Sequence, residues 1–336
     1  VKAAQRGGAT LDFRTVGGKS MAAVSYSMPG VTRATAYFND DFTVARVDSV
    51  MPDPVLGDTA VVTTYSEYRD LPGGFKFPAR IDQTAGGHMV LQLIVTDVKP
   101  NANVDLKVPA NVAAWKESVA VEKAAEGVWF LAGGSHNSAA IEMADHMIVV
   151  EAPLDDGRSM AVLDAVKKLV PGKPIRYVVN SHHHFDHAGG LRAAAASGAT
   201  IVTQSANKAW FDKIFANANR VAPDALAKSG RRANIVGVAD RMTIKSGNRT
   251  VEIIRNTGNP HTDSMLMVYL PAEKILIEAD LYTPLSPNAK PPTLEAAANT
   301  VALAKNIEDA KLVVERILPL HGRMTDRAEM QKMIGR

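Results

Sequence analysis

The six residues His182-His183-His184-Phe185-Asp186-His187 contain four histidines and an aspartate. Imidazole nitrogens and carboxylate oxygens hold transition metals, and so many donors in so short a run predict a metal centre. A solvated histidine patch or a tag is the alternative, and the flanking residues oppose it. Ile175-Arg176-Tyr177-Val178-Val179 before the run reads as a strand, and Gly189-Gly190-Leu191-Arg192-Ala193-Ala194-Ala195-Ala196 after it reads as the start of a helix. With His182, His184, Asp186 and His187 as donors the pattern is H-x-H-x-D-H. Its alternation sends two imidazoles one way and the Asp-His pair towards a neighbouring point, so one loop can serve two ions.

Two ions need further donors, and three positions offer them. His261 lies in the turn Gly258-Asn259-Pro260-His261-Thr262-Asp263-Ser264, between a strand ending near Asn256 and one beginning near Met265. Asp280 ends the strand Ile275-Leu276-Ile277-Glu278-Ala279-Asp280, and His321 closes a strand in Pro319-Leu320-His321-Gly322. All three stand at strand ends or tight turns, where a rigid sheet can aim side chains into one cleft.

The elements that must position these residues fall into two regions. Residues 1–108 show alternating segments such as Phe75-Lys76-Phe77-Pro78-Ala79-Arg80-Ile81-Asp82 and Met89 to Thr96, punctuated by Pro29-Gly30, Asn39-Asp40-Asp41, Pro72-Gly73-Gly74 and Gly86-Gly87. That pattern predicts a smaller antiparallel β-domain with His88 as a solvated turn residue. Residues 109–116 read as a linker, and 117–336 as a layered α/β domain of strands alternating with helices. Strands are predicted at Val128–Leu131, Met147–Val150 and Ala199–Thr203, and a hairpin at Met265–Leu270 and Ile275–Ala279. Helices are predicted from Arg158 to Val170, from Ser205 to Ala216 with Trp210 and Phe211 as core anchors, and from Thr293 to Ile307; Leu312–Leu318 reads as a strand.

Bulk properties narrow the function classes. The chain has 336 residues with 46% hydrophobic and 22% charged content, a formal net charge of +3 and no cysteine. Disulfides, thiolate metal sites and a cysteine nucleophile are therefore excluded. The small charge and the lack of a basic run with interleaved aromatics predict a small-molecule substrate and no nucleic acid. No apolar run of about 18 residues is present, so no transmembrane segment is expected. The first residue, Val1, is not Met, which predicts a processed or trimmed start; a removed secretory signal, with periplasmic or secreted residence, is one reading, and cytoplasmic residence is the other.

The ordered set H-x-H-x-D-H, then His261, Asp280 and His321, resembles the metallo-β-lactamase superfamily over about residues 117–336. The resemblance implies an αββα sandwich with metals at one edge of two sheets. It implies that His182, His184 and His261 bind a first zinc, that Asp186, His187 and His321 bind a second, and that Asp280 bridges both. Manganese or iron would suit the same nitrogen and oxygen donors. Five of the nine histidines are then used. His183 should point outwards, His146 reads as a strand-edge residue, and His136, in a loop where this fold approaches the substrate, either lines the pocket or is a turn residue.

Two metals about 3.5–4 Å apart can share a bridging hydroxide at neutral pH, which is the expected nucleophile. Asp186 is the expected catalytic residue, ligating and orienting the attacking oxygen. Family members that open β-lactams with a cysteine at the position of Asp280 are not matched, and the lysine many carry three residues beyond is Thr283. The Asp280 pattern resembles lactonases, thioesterases and phosphodiesterases, which implies cleavage of a lactone, ester, thioester or lactam, with β-lactamase activity weak. Tyr282 is a candidate donor to a developing oxyanion, or else a packing aromatic. Relatives with overlapping ligands carry the alternatives, an iron-dependent persulfide dioxygenase-like oxidoreductase or a phosphodiesterase. For the first domain, pocket shaping, dimerisation into a homo-oligomer and apolar-ligand binding all stay open.

Overall fold

Two-residue glycine turns organise the first part of the chain. Gly17-Gly18 and Gly86-Gly87 each have both φ angles positive, the type I′ geometry whose twist matches the strands it joins. They link β1 (Thr10–Val16) to β2 (Lys19–Met28) and β6 (Phe75–Ala85) to β7 (His88–Ile94). With β3 (Val31–Phe38), β4 (Val44–Asp53) and β5 (Gly57–Leu71) they form a seven-stranded antiparallel meander in chain order. His88 follows its glycine turn as the exposed first residue of β7. The computed structural model describes residues 8–28, 31–286, 288–290 and 292–336, so the turn expected at Pro29-Gly30 and the start at Val1 lie outside the described residues.

This first compact unit runs to Trp115 and takes in Asn217–Pro223 from far along the chain. Asp58 anchors that return: its carboxylate accepts from the backbone of Arg220 at 2.9 Å and Val221 at 3.0 Å, and its amide donates to Ala218. The stretch read as a linker contains a short helix, Ala110–Ala113, with Pro109 in extended conformation ahead of it.

The second unit, Lys116–Ala216 with Asp224–Arg336, is an αββα sandwich. Its first sheet holds β8 (Ala120–Ala125), β9 (Val128–Ala132), β10 (Ser138–Glu142), β11 (Met147–Val150), β12 (Ile175–Val179), β13 (Thr200–Gln204) and β14 (Asn234–Val238) in spatial order 14-13-12-11-10-9-8. Strands β11 to β14 run parallel and the remainder antiparallel. The second sheet is β15 (Arg241–Ser246), β16 (Arg249–Asn256), β17 (Met265–Leu270), β18 (Ile275–Glu278), β19 (Arg316–Pro319) and β20 (Thr325–Asp326), with β18 and β19 parallel. Phe130, Ile141, Ile148 and Val179 of the first sheet meet Val251, Ile253, Val268 and Ile277 of the second in one buried core. A further core, including Met267, Leu276, Leu303, Ile307 and Met330, packs the outer helices Ala298–Asp309 and Arg327–Met333 onto the second sheet.

Local chemistry explains most boundaries. Asp155 caps the helix Asp156–Leu169 by accepting from the amide of Arg158 at 2.9 Å, and Lys167 and Lys168 complement its C-terminal dipole. Phe211 is fully buried in the helix Ser205–Phe215, while Trp210 is half-buried and meets the His183 ring edge-on. Two readings need correction. The helix expected from Thr293 begins at Ala298, because Thr293 first forms a turn in which its hydroxyl accepts from Ala296. The strand expected over Leu312–Leu318 is confined to Arg316–Pro319: Lys311 takes φ of 52° after the helix, and Leu312 and Val314 pack into the core instead of pairing. His146 is buried at 2% exposure, with its ring against Tyr177 and Nδ1 bonded to Asp145. Among the described residues no helix is long and apolar enough to cross a membrane.

Candidate metal centre

Every donor of the expected site leaves the second unit at a strand end or an adjacent turn. His182 and His184 follow β12, and Asp186 and His187 sit on a single helical turn, Phe185–Ala188, where the sequence reads as a loop. His261 lies between β16 and β17, Asp280 follows β18, and His321 follows β19. Parallel strands deliver consecutive loops to the same edge, and helix–strand packing holds those loops in place. Gly190 holds the far end of the histidine loop against the helix Asp156–Leu169: a Cβ there would lie 1.8 Å from Ser159 Oγ.

The seven residues converge. His261 Nε2 lies 3.1 Å from His182 Nε2, and His321 Nε2 lies 3.1 Å from His187 Nε2. Asp280 stands between the two pairs: Oδ2 is 3.1 Å from His182, 2.9 Å from His187 and 3.3 Å from His261, and Oδ1 is 2.9 Å from His321. Donor atoms of His182, His184 and His261 lie within 4.8 Å of one another, as do those of His182, His187 and Asp280. A third group with the same spacing joins Asp186, His187 and His321 to His136.

The outward faces of three of these rings are occupied. Ser181 Oγ holds His182 Nδ1 at 3.0 Å, Glu151 Oε2 holds His187 Nδ1 at 3.0 Å, and the Ser135 carbonyl holds His321 Nδ1 at 3.1 Å. Such contacts select the tautomer that leaves the Nε2 lone pair facing inwards. Two imidazole nitrogens 3.1 Å apart share at most one proton, whereas a cation between them satisfies both lone pairs. The donor set and its pairing therefore suit divalent metal ions.

Electrostatics agree. Burial drives the His182 pKa down to about 4, which keeps that ring neutral, as a ligand must be. Burial also opposes charge on His187, but the Asp280 and Glu151 carboxylates outweigh it and push the pKa up to about 10, so this point of the protein demands positive charge. Burial likewise opposes ionisation of Asp280, and its contacts with His182, His187 and His321 overcome it, holding the carboxyl well below its usual range.

Sequence reasoning missed Glu151. Its wholly buried carboxylate accepts from Ser181 Oγ at 2.6 Å, the Ser181 amide at 3.1 Å, Asn180 Nδ2 at 3.2 Å and His187 Nδ1, so it fixes both His187 and the start of the histidine loop. An acidic residue directly after the apolar strand Met147–Val150, as Asp280 follows β18, was the available signal. Asn259 Oδ1 accepts from the amides of His261 and Thr262 and fixes that turn. Glu278 shapes the Asp280 turn: its Oε2 accepts from the amides of Leu281 and Tyr282, and full burial pushes its pKa up to about 8.

The two residues expected at the substrate fare differently. His136 enters the metal centre itself, with Nε2 3.0 Å from Asp186 Oδ2 and its ring 4.4 Å from that of His321. Tyr282 is 2% exposed and packs in the core with Met265, Leu303 and Met330. His183 turns away from the donors, towards Ser264 and Trp210.

A family model described as the metallo-beta-lactamase superfamily matches residues 133–321. Among solved structures, a metallo-beta-lactamase from Pontibacter korlensis is similar at 19% identity and a TM-score of 0.50, over 65% of this chain and 98% of that one. The rubredoxin oxygen:oxidoreductase from Desulfovibrio gigas is similar at 16% identity and a TM-score of 0.50, over 64% of this chain and 61% of that one. At such identities the likeness shows the fold alone. No curated protein sequence matches the chain.

Proposed function

The chain belongs to the metallo-beta-lactamase superfamily, and we propose that it is a binuclear zinc-dependent hydrolase that cleaves a carbonyl compound, whether lactone, ester, thioester or lactam. One observation carries this reading: donors from four separate segments converge around the Asp280 carboxylate, in groups that share His182 and His187. His182, His184 and His261 would hold one ion, Asp186, His187 and His321 the other, and Asp280 both. Nitrogen and carboxylate donors without thiolate suit zinc at a catalytic site.

When bound, divalent cations supply Lewis acidity that ionises water at neutral pH and polarises a carbonyl. The protein's own contribution is to position and to move protons. Asp186 is part-exposed, so a carboxylate oxygen can reach an attacking water, orient it and take its proton. The same carboxylate can return that proton to the leaving oxygen, nitrogen or sulfur. Glu151 and Ser135 keep the neighbouring rings in register through their Nδ1 atoms, so no side chain must reorganise during the reaction.

The test pairs metal content with a substrate panel. The purified protein should carry about two zinc ions per chain, and hydrolysis of a lactone, ester, thioester or lactam should stop on chelation and return with zinc. His182→Ala or Asp186→Asn should each cost several kcal/mol in transition-state stabilisation, at about 1.4 kcal/mol per tenfold in rate. Iron content with oxygen uptake and no hydrolysis would overturn the proposal in favour of an oxidoreductase, and activity confined to a phosphodiester would reassign the substrate class.

A further inference from the structure

His136 is presented to the donor cluster much as His182, His187 and His321 are, with its Nδ1 held and its Nε2 beside a carboxylate, here that of Asp186. Its Nε2 belongs to the group in which donor atoms of Asp186, His187 and His321 lie within 4.8 Å of one another. Its Nδ1 is held from behind by Ser135 Oγ at 2.6 Å, as His182 Nδ1 is held by Ser181 Oγ at 3.0 Å. In both places the holding residue is the serine directly preceding the histidine. Ser135 serves two rings at once, because its carbonyl also holds His321 Nδ1 at 3.1 Å. His136 and His321 are thus aimed by one residue.

The loop that carries His136 is anchored rather than free. Arg158, 1% exposed, donates from Nη2 to the His136 carbonyl at 3.2 Å and from Nη1 to the Ser118 carbonyl at 2.8 Å. The guanidinium leaves room only for glycine at 133, where a Cβ would lie 2.2 Å from Nη1. On the other side, the Asn137 amide donates to the Leu320 carbonyl at 2.9 Å and Nδ2 to the Gly322 carbonyl at 2.8 Å, which ties the loop to the turn bearing His321. A buried cation and a buried amide therefore position this imidazole, which a turn residue would not require.

We infer that His136 is an eighth protein ligand of the metal centre, binding through Nε2 the ion held by Asp186, His187 and His321; this rests on the binuclear reading above. The two positions then differ in kind. One has three imidazoles and a share of Asp280, and keeps room for water and substrate. The other has three imidazoles, Asp186 and a share of Asp280, a nearly filled set that suits a metal accepting five donors and leaves substrate polarisation to its neighbour.

Cobalt substitution of the full chain tests this without reference to turnover. In the proton NMR spectrum of the dicobalt protein, each coordinated imidazole contributes one exchangeable, hyperfine-shifted N–H resonance that vanishes in deuterium oxide. The inference expects six such resonances, with one lost and the weaker cobalt step loosened at least tenfold in His136→Ala. If that variant fails to fold, His136→Asn and the wild-type count decide. Five resonances in wild type, all retained in the variant, would overturn the inference and leave His136 as a hydrogen-bond partner of Asp186, with the binuclear centre intact. Absence of cobalt binding would instead sink the metal-centre reading, and this inference with it.

Discussion

Replacing Glu151 by Gln should weaken one metal site through a proton. Oε1 accepts from Asn180 Nδ2 and the Ser181 amide, two groups that can only donate, so the new NH₂ is forced to the Oε2 position. There it faces Ser181 Oγ, which can turn to accept, and His187 Nδ1, which must then accept as well. The His187 proton moves to Nε2, the atom that faces His321 and Asp280, and the lone pair needed for ligation is lost. Loss of an orienting partner of this kind costs about 10–100-fold in metal affinity, or about 1.4–2.8 kcal/mol. The measurement is a zinc titration of stripped protein against a chromophoric chelator. Wild type should show two steps, and the variant should shift the step that depends on His187 by that factor while the step at His182, His184 and His261 moves less. Two unshifted steps would refute the tautomer argument.

Three further outcomes follow from packing and pairing. Gly190→Ala should destabilise the second unit by about 1–3 kcal/mol in urea unfolding, because its Cβ would overlap Ser159 Oγ and nothing adjacent is loose; wild-type stability would show that the contact relaxes freely. Asp224→Ala should cost about 3–5 kcal/mol, since it strands the buried Arg192 guanidinium, whose Nη2 lies 3.2 Å from Asp224 Oδ1; a loss below about 1 kcal/mol would refute the pairing as the source of stability. Tyr282→Phe should leave kcat/KM unchanged and stability within about 1 kcal/mol of wild type, because the ring packs in the core beside Met265, Leu303 and Met330; a fall of about a hundredfold would restore the oxyanion role.

Much of the fold is legible in the sequence because its signals are local. β11, β12 and β17 match their predicted runs residue for residue, as short apolar stretches bounded by turn residues should. The glycine pairs fix the hairpins of the meander through φ alone. What escapes a linear reading depends on distance. Arg158 reads as the polar start of an amphipathic helix, yet it is among the largest fully buried side chains, because carbonyls of Ser118 and His136 close over it. Asn217–Pro223 follows a helix of the α/β region, and contacts with Leu56 and Asp58, more than 150 residues earlier, give it a place in the first unit.

The site divides along the same line. The donors announce themselves by type and spacing, whereas the residues that aim them are serines, an asparagine and a buried glutamate that would be unremarkable elsewhere. Glu151 and Asp280 share a backbone feature that neither spacing nor type reveals: both are non-glycine residues at positive φ, 74° and 58°, within two residues of the ends of strands in facing sheets. Left-handed backbone at such residues costs about 1–3 kcal/mol each and persists only where surrounding structure overdetermines it. Here the four donors on Glu151 and the Glu278 clamp behind Asp280 are that structure. The strain thus sits at the two acids that fix the ring orientations and the centre of the donor cluster. Metal affinity should therefore depend on the buried polar residues behind the ligands almost as much as on the ligands themselves.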